Sequence, residues 1–201
     1  AEFENSRPVL EISGPWQVQF APEWGGPVMP VTFDSLMDWS HHLNKGIRYY
    51  SGTATYKKNI EINLPEKASS GPVWLDLGMI EVMAQVKVNG NDCGIAWKPP
   101  YFVDISDAFK PGDNELEINM VNTWVNRMIG DEHYPEDCEW IDWVTLKQWP
   151  EWFLKEEVPR PTGRYTFTTA KHYEKDDHLM PSGLLGPVRI CIPSCDTISQ
   201  F

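Results

Sequence analysis

Apolar side chains recur at every second position along much of this chain, and runs spaced by three and four residues are nearly absent, which is the primary signal of a β protein. In Tyr56–Ile62 the residues Tyr56, Ile60 and Ile62 share one face while Lys57, Asn59 and Glu61 take the other. Such a segment predicts a strand buried on one side. Val82–Val88 and Glu115–Val121 repeat the pattern, and shorter runs predict strands at Trp16–Phe20, Val73–Leu77, Tyr101–Ile105, Arg164–Thr169 and Val188–Ile192. Turn chemistry separates them. Asn89-Gly90 suits the positive φ angles of a tight hairpin, and Pro111-Gly112-Asp113-Asn114 supplies another reversal. Roughly eight to ten short strands with frequent turns predict an all-β fold, a two-sheet antiparallel β-sandwich of jelly-roll type, with a closed barrel as the alternative.

One stretch, about residues 130–161, breaks this rhythm. It holds Trp140, Trp143, Trp149 and Trp152 among the acidic residues Asp131, Glu132, Glu136, Asp137, Glu139 and Asp142. Thr145–Glu157 predicts a short helix, interrupted or restarted at Pro150. An irregular insertion of this length is uncommon in a compact domain unless it binds something, docks on something or is flexible. Three readings stand: a ligand-binding lobe, an interface with a neighbouring domain, or a wrap around the sandwich itself. Docking leads, because four Trp side chains are costly to leave wet. The organisation expected is a linker-like start over residues 1–8 and a single sandwich domain over 9–201. The absence of an initiating Met reads as a processed protein or a piece of a larger one.

Charge narrows the partners. A formal net charge of −12, with a pI of about 4.8, works against nucleic acid, whose affinity comes mostly from Lys and Arg on phosphate. No apolar run approaches the length of a membrane-spanning helix, and the first residues lack a signal-peptide pattern. Neither nucleic acid nor membrane is therefore an expected partner. Cys93, Cys138, Cys191 and Cys195 are too irregular for a disulfide framework or a zinc site. They read as reduced or inert, with one incidental disulfide as the alternative, for which Cys191 and Cys195 are a poor pair.

Several segments carry a resemblance. Leu75-Asp76-Leu77-Gly78, Ala84-Gln85-Val86-Lys87-Val88-Asn89-Gly90, Gly94, Asp104-Ile105-Ser106 and Lys110-Pro111-Gly112-Asp113-Asn114-Glu115-Leu116 follow in that order. The series resembles the sugar-binding, galactose-binding-like jelly roll of glycoside hydrolase family 2. Ser13-Gly14-Pro15-Trp16, Tyr49–Tyr56, Trp97–Tyr101, Asn122–Arg127, Arg164–Thr168 and Pro181–Val188 look like the C-terminal β-sandwich of the α-L-rhamnosidase-like glycoside hydrolases, family 106. The resemblance implies a non-catalytic accessory domain of a multidomain hydrolase, whose catalytic carboxylates sit in a separate barrel. Its implied setting is periplasmic or extracellular, in a bacterial polysaccharide degrader, with the rest of that hydrolase and glycans as partners.

Sugar recognition on a β-sandwich needs an aromatic platform and planar polar groups. Trp97, Tyr101, Asn122, Trp124, Asn126 and Arg127 offer both near strand ends. The competing reading buries Trp97 and Trp124 in the core and uses the Asn side chains to tie down loop backbone. Glu132 and the Trp residues of the insertion form a second candidate set, for a ligand or an interdomain contact. Glu132 with Asp131, Glu136 or Glu139 could supply a glycosidase carboxylate pair, although an acidic run is more often a solvated face. His172, Asp176, Asp177 and His178 match no familiar metal spacing, and His41-His42 still less. No cofactor is expected. A structural calcium at Asp104, Asp107 and Asp113 is the exception the resemblance suggests, against the reading that these residues cap turns. Two rivals remain: an autonomous carbohydrate-binding module, and a small stand-alone glycosidase.

Overall fold

The computed structural model describes residues 5–64 and 71–194. Its strands, in chain order, are β1 (Ser6–Glu11), β2 (Trp16–Phe20), β3 (Val31–Phe33), β4 (Thr53–Ile62), β5 (Trp74–Asp76), β6 (Met79–Glu81), β7 (Met83–Val88), β8 (Asn91–Ala96), β9 (Phe102–Asp104), β10 (Gly112–Val121), β11 (Gly183–Gly186) and β12 (Arg189–Pro193). Three short helices are α1 (Lys45–Arg48), α2 (Val125–Asp131) and α3 (Glu151–Leu154). The larger sheet runs β3-β2-β4-β10-β7-β8, the smaller β1-β12-β5-β9, and β6 pairs with β11. All of these pairings are antiparallel. Neither main sheet closes on itself, so the architecture is the predicted sandwich and not the barrel.

The alternation explains the layers. In β4, Ala54, Tyr56, Ile60 and Ile62 are buried while Lys57 and Glu61 face water. β10 answers with Leu116, Ile118 and Met120, in register from Gly112 opposite Ile62 to Val121 opposite Thr53. Between the sheets Trp16, Phe20, Phe33, Trp39, Tyr50 and Tyr56 pack in one apolar cluster. Burying Trp and Tyr strands their polar tips unless partners are built in. Trp39 Nε1 donates to Tyr56 Oη at 2.6 Å, and Tyr50 Oη donates to Thr53 O at 2.7 Å.

The motifs that carry the resemblance have structural jobs. Asn89 and Gly90 adopt φ 53° and 80°, the left-handed pair a tight hairpin needs. Asn89 Nδ2 then donates to Ala108 O and to Asn114 Oδ1. Buried Asn114 in turn donates to Lys110 O and Gly112 O, so the two turns are knotted together by their amides. Asp104 Oδ1 accepts from Ser106 N at 2.9 Å, and Ser106 Oγ accepts from Val73 N at 2.9 Å.

Four expectations need correction. Ser6–Pro8 are not linker but part of β1, paired with β12 from Ser6 opposite Pro193. Arg164–Thr169 forms no strand, because the amides that would enter a ladder donate to the Asp131 side chain instead. The helix expected over Thr145–Glu157 shrinks to the four residues of α3, which starts after Pro150. The irregular region is longer than residues 130–161: no ladder strand lies between β10 and β11, and α2 opens the interval. Cys93, Cys138 and Cys191 are free thiols, while the pairing of Cys191 with Cys195 lies outside the described residues.

Candidate functional site

At one end of the larger sheet β2, β10 and β8 finish while β4 and β7 begin. The register therefore brings to a single rim what the sequence scatters: the turn after β2, the residues before β4, the β10–α2 junction and the link from β8 to β9. Trp97 and Trp124 stand on this rim with 69% and 42% of their surface exposed, so neither is the core residue of the competing reading. Trp124 packs edge-on to Trp24 at 4.8 Å. Tyr101 is half-buried beyond the β8–β9 link. Strands spaced about 4.8 Å apart put the ends of β10 and β8 roughly 10 Å from each other.

The amides behind this rim have structural work. Asn122 Nδ2 donates to Tyr50 O at 2.9 Å and its Oδ1 accepts from Gly52 N at 3.0 Å. Asn126 clamps Met180 through both its backbone N and its O, at 2.8 and 2.7 Å. Both amides also donate to Ser182 Oγ. They tie the returning chain to the start of α2, and a ligand would have to break bonds to use them.

Arg127 is different. Its position four residues before Asp131 stacks the two on one face of α2, where Nε lies 3.1 Å from Asp131 Oδ1 and both side chains are almost wholly buried. Neither of those atoms has hydrogen-bond alignment, so the contact is ionic by distance alone. Asp131 Oδ2 accepts from Tyr165 N, Thr166 N and Thr166 Oγ1 at 2.9, 2.6 and 2.7 Å. That clamp holds the Tyr165 ring 4.7 Å from the Arg127 guanidinium carbon. Above the guanidinium opens a cleft of about 420 Å³, whose walls include Gly25, Lys45, Tyr49, His133, Tyr134 and Tyr165.

The acidic candidates are all engaged. Arg164 grips Glu132 with both terminal nitrogens, at 2.7 and 3.2 Å. Glu136 pairs with Lys171, and Glu139 with Lys147. Burial would raise the Asp137 carboxyl, but hydrogen bonds from Arg160 and Thr162 outweigh it and hold its pKa below the usual Asp range. Burial and the Asp137 charge push the Cys138 thiol up to about 11. Among the described residues no three His, Cys, Asp or Glu side chains gather as a metal site, so Asp104, Asp107 and Asp113 form no calcium cage. Asp177 instead accepts the Glu174 N–H, in the exposed turn that also carries Asp176 and His178.

The Trp-rich segment divides. Trp152 turns inward, donating Nε1 to Asp137 O at 3.0 Å beneath the Arg160 guanidinium. Trp140 is half-buried. Trp143 and Trp149 stay 64% and 50% exposed, with Ile141, Val144, Phe153 and Leu154 wet around them. Trp149 and Phe167 each stack on Phe153 and meet one another at a tilt, so this part of the apolar surface has a defined shape.

No protein-family model matches the chain. It is 41% identical over 184 residues to the Formosa agariphila protein named "Putative beta-glucuronidase", covering 92% of this chain and 16% of that protein. The solved structure of a rhamnosidase from Novosphingobium sp. PP1Y superposes with a TM-score of 0.73 at 35% identity, over 93% of this chain and 15% of that one. The chain matches a small part of larger glycoside hydrolases. A fainter likeness to Ruminococcus gnavus beta-glucuronidase, at a TM-score of 0.48 and 24% identity over 59% of this chain and 22% of that one, carries no weight.

The sequence reading named Arg127 but missed the walls of its cleft. Lys45, Tyr49, His133 and Tyr165 come from α1, the turn before β4, the residues after α2 and the Asp131-bound loop. No period links them; Gly25 and Gly26, where a Cβ would lie 2.9 Å from the Tyr165 ring and 2.5 Å from Phe20 Cβ, mark how closely backbone and side chains crowd there.

Proposed function

We propose that this chain is a non-catalytic accessory β-sandwich of a larger glycoside hydrolase, of the α-L-rhamnosidase-like kind, acting as an interdomain scaffold at the edge of the glycan site. The observation that carries the reading is the shaped apolar surface of Ile141, Trp143, Val144, Trp149, Phe153 and Leu154, left wet in the isolated chain. Aromatic anchors of this kind are typical of the buried centre of a protein interface. The match to 15% of the Novosphingobium rhamnosidase supports a neighbour inside the same polypeptide as the occupant. An exported hydrolase, periplasmic or extracellular, is the setting that accompanies this reading.

A double substitution, Trp149→Ser with Phe153→Ser, tests it. In the isolated 201-residue chain the lost ring contacts should cost about 1–2 kcal/mol, less than the same change costs in the assembled enzyme. In a full-length hydrolase carrying the domain the double substitution should lower the thermal transition by several degrees more. Equal effects in both settings would remove the interface. Turnover of aryl rhamnosides or aryl glucuronides by the isolated chain, lost in Glu132→Gln, would overturn the non-catalytic assignment.

A carbohydrate-binding role has its own support in the exposed rim aromatics Trp97 and Trp124. Calorimetry against rhamnose, galactose and pectin-derived oligosaccharides should then show heats that disappear in Trp97→Ala or Trp124→Ala.

A further inference from the structure

The Arg127 guanidinium is unusual in what it leaves unused. Nε faces Asp131 and the backbone N–H donates to Ser51 Oγ at 3.1 Å, while Nη1 and Nη2 hydrogen-bond no protein group among the described residues. Buried donors normally have partners, and an Arg at 3% residual exposure with two free nitrogens presents a fork with nothing in it. Only Nε is sealed without an aligned partner, so Nη1 and Nη2 keep an opening, and the opening is the cleft.

Its walls suit one class of ligand. In a chain of net charge −12 the residues lining this cleft include Lys45 and His133 but no Asp or Glu. Asp131 sits behind the guanidinium with Oδ2 already accepting three hydrogen bonds. Gly25 and Gly130 lie against the guanidinium without a side chain: a Cβ on Gly25 would stand 3.1 Å from Nη1 and one on Gly130 2.5 Å from Nη2, so the fork fits only because both positions are glycine. Tyr49, Tyr134 and Tyr165 also line it, with one face of the Tyr165 ring on the guanidinium and the Tyr49 hydroxyl 3.0 Å from His133 Nε2, and a volume near 420 Å³ falls within the range of small-molecule sites. A guanidinium fork matches a planar carboxylate in two parallel hydrogen bonds, and tyrosine rings suit the apolar face of a pyranose.

We infer that the cleft over Arg127 binds an acidic sugar, with the carboxylate of a hexuronate on Nη1 and Nη2 and the pyranose ring against the tyrosines. This goes beyond the scaffold reading and does not depend on it, because the test uses the isolated chain and reads no interdomain contact. Sodium D-glucuronate, its methyl ester, D-glucose and sodium sulfate are titrated into the ¹⁵N-labelled 201-residue chain by NMR. Glucuronate should shift the Gly25, Gly46 and Arg127 side-chain signals saturably and bind at least tenfold more tightly than the ester or glucose. Lys45→Ala, at an exposed position, should weaken glucuronate a few-fold. Arg127→Gln combined with Asp131→Asn removes the fork while keeping an acceptor for the Tyr165 and Thr166 amides, and should lose at least tenfold. Equal binding of glucuronate and glucose, shifts confined to other amides, or unchanged affinity in the folded double variant would each overturn the site. Sulfate reaching the same occupancy at equal concentration would overturn the sugar assignment.

Discussion

Asp131 joins α2 to the loop at residues 165–166. One carboxylate faces Arg127 and accepts the Tyr165 and Thr166 amides and the Thr166 hydroxyl. Removing one partner of a buried ion pair leaves the other charged and unpaired, at a cost of about 3–5 kcal/mol. Asp131→Ala is therefore expected to move the urea midpoint by a loss of that size, whereas Asp131→Asn, which keeps an acceptor, should lose less. Equal losses for the two variants would mean that the hydrogen bonds to the 165–166 backbone contribute little. The engaged carboxylates nearby follow the same logic: Glu132 on Arg164 and Glu136 on Lys171 hold loops together.

At the scale of elements, the irregular lobe between β10 and β11 is fastened by Asp137. Its carboxylate accepts from Arg160 Nε and Thr162 Oγ1, and its backbone carbonyl accepts the Trp152 indole. Its folded pKa is depressed, so the stabilisation is present above the unfolded value of about 3.9 and is lost as pH falls through the folded value. Acidification below about pH 4 should change Trp fluorescence from the lobe before the far-UV signal of the sheets. In Asp137→Asn the lobe should be weaker at neutral pH, with a flatter acid limb. Coincident loss of both signals in the native chain would mean that lobe and sandwich unfold as one unit.

The same scale shows what could be read beforehand. β4 and β10 were legible because each has one dry face, and a dry face writes period two into the sequence. Arg164–Thr169 writes it too, through Tyr165 and Phe167, yet Asp131 captures the amides a ladder would need. α2 was invisible for the opposite reason. It is seven residues long and buries Asn126, Arg127 and Asp131 with Ile129 as the one large apolar residue among them, so its inward face is mostly polar and reads as loop. The candidate site divides likewise: Trp97, Trp124 and Arg127 were named from residue type, while their shared rim and the cleft over Arg127 depend on register between distant strands.

For the molecule as a whole, the pairing of β1 with β12 sets where tension would enter. Ser6 lies opposite Pro193 at one end of an antiparallel ladder, whose hydrogen bonds run across the strands. A pull applied between those two residues would open the ladder rung by rung, like a zipper, and not load all its bonds in shear. Single-molecule stretching from these points should therefore give a low first rupture force, and handles moved to Ser6 and Arg189 should raise it. A domain strung by Ser6 and Pro193 between moving neighbours would peel along this seam while β4 and β10 stayed joined.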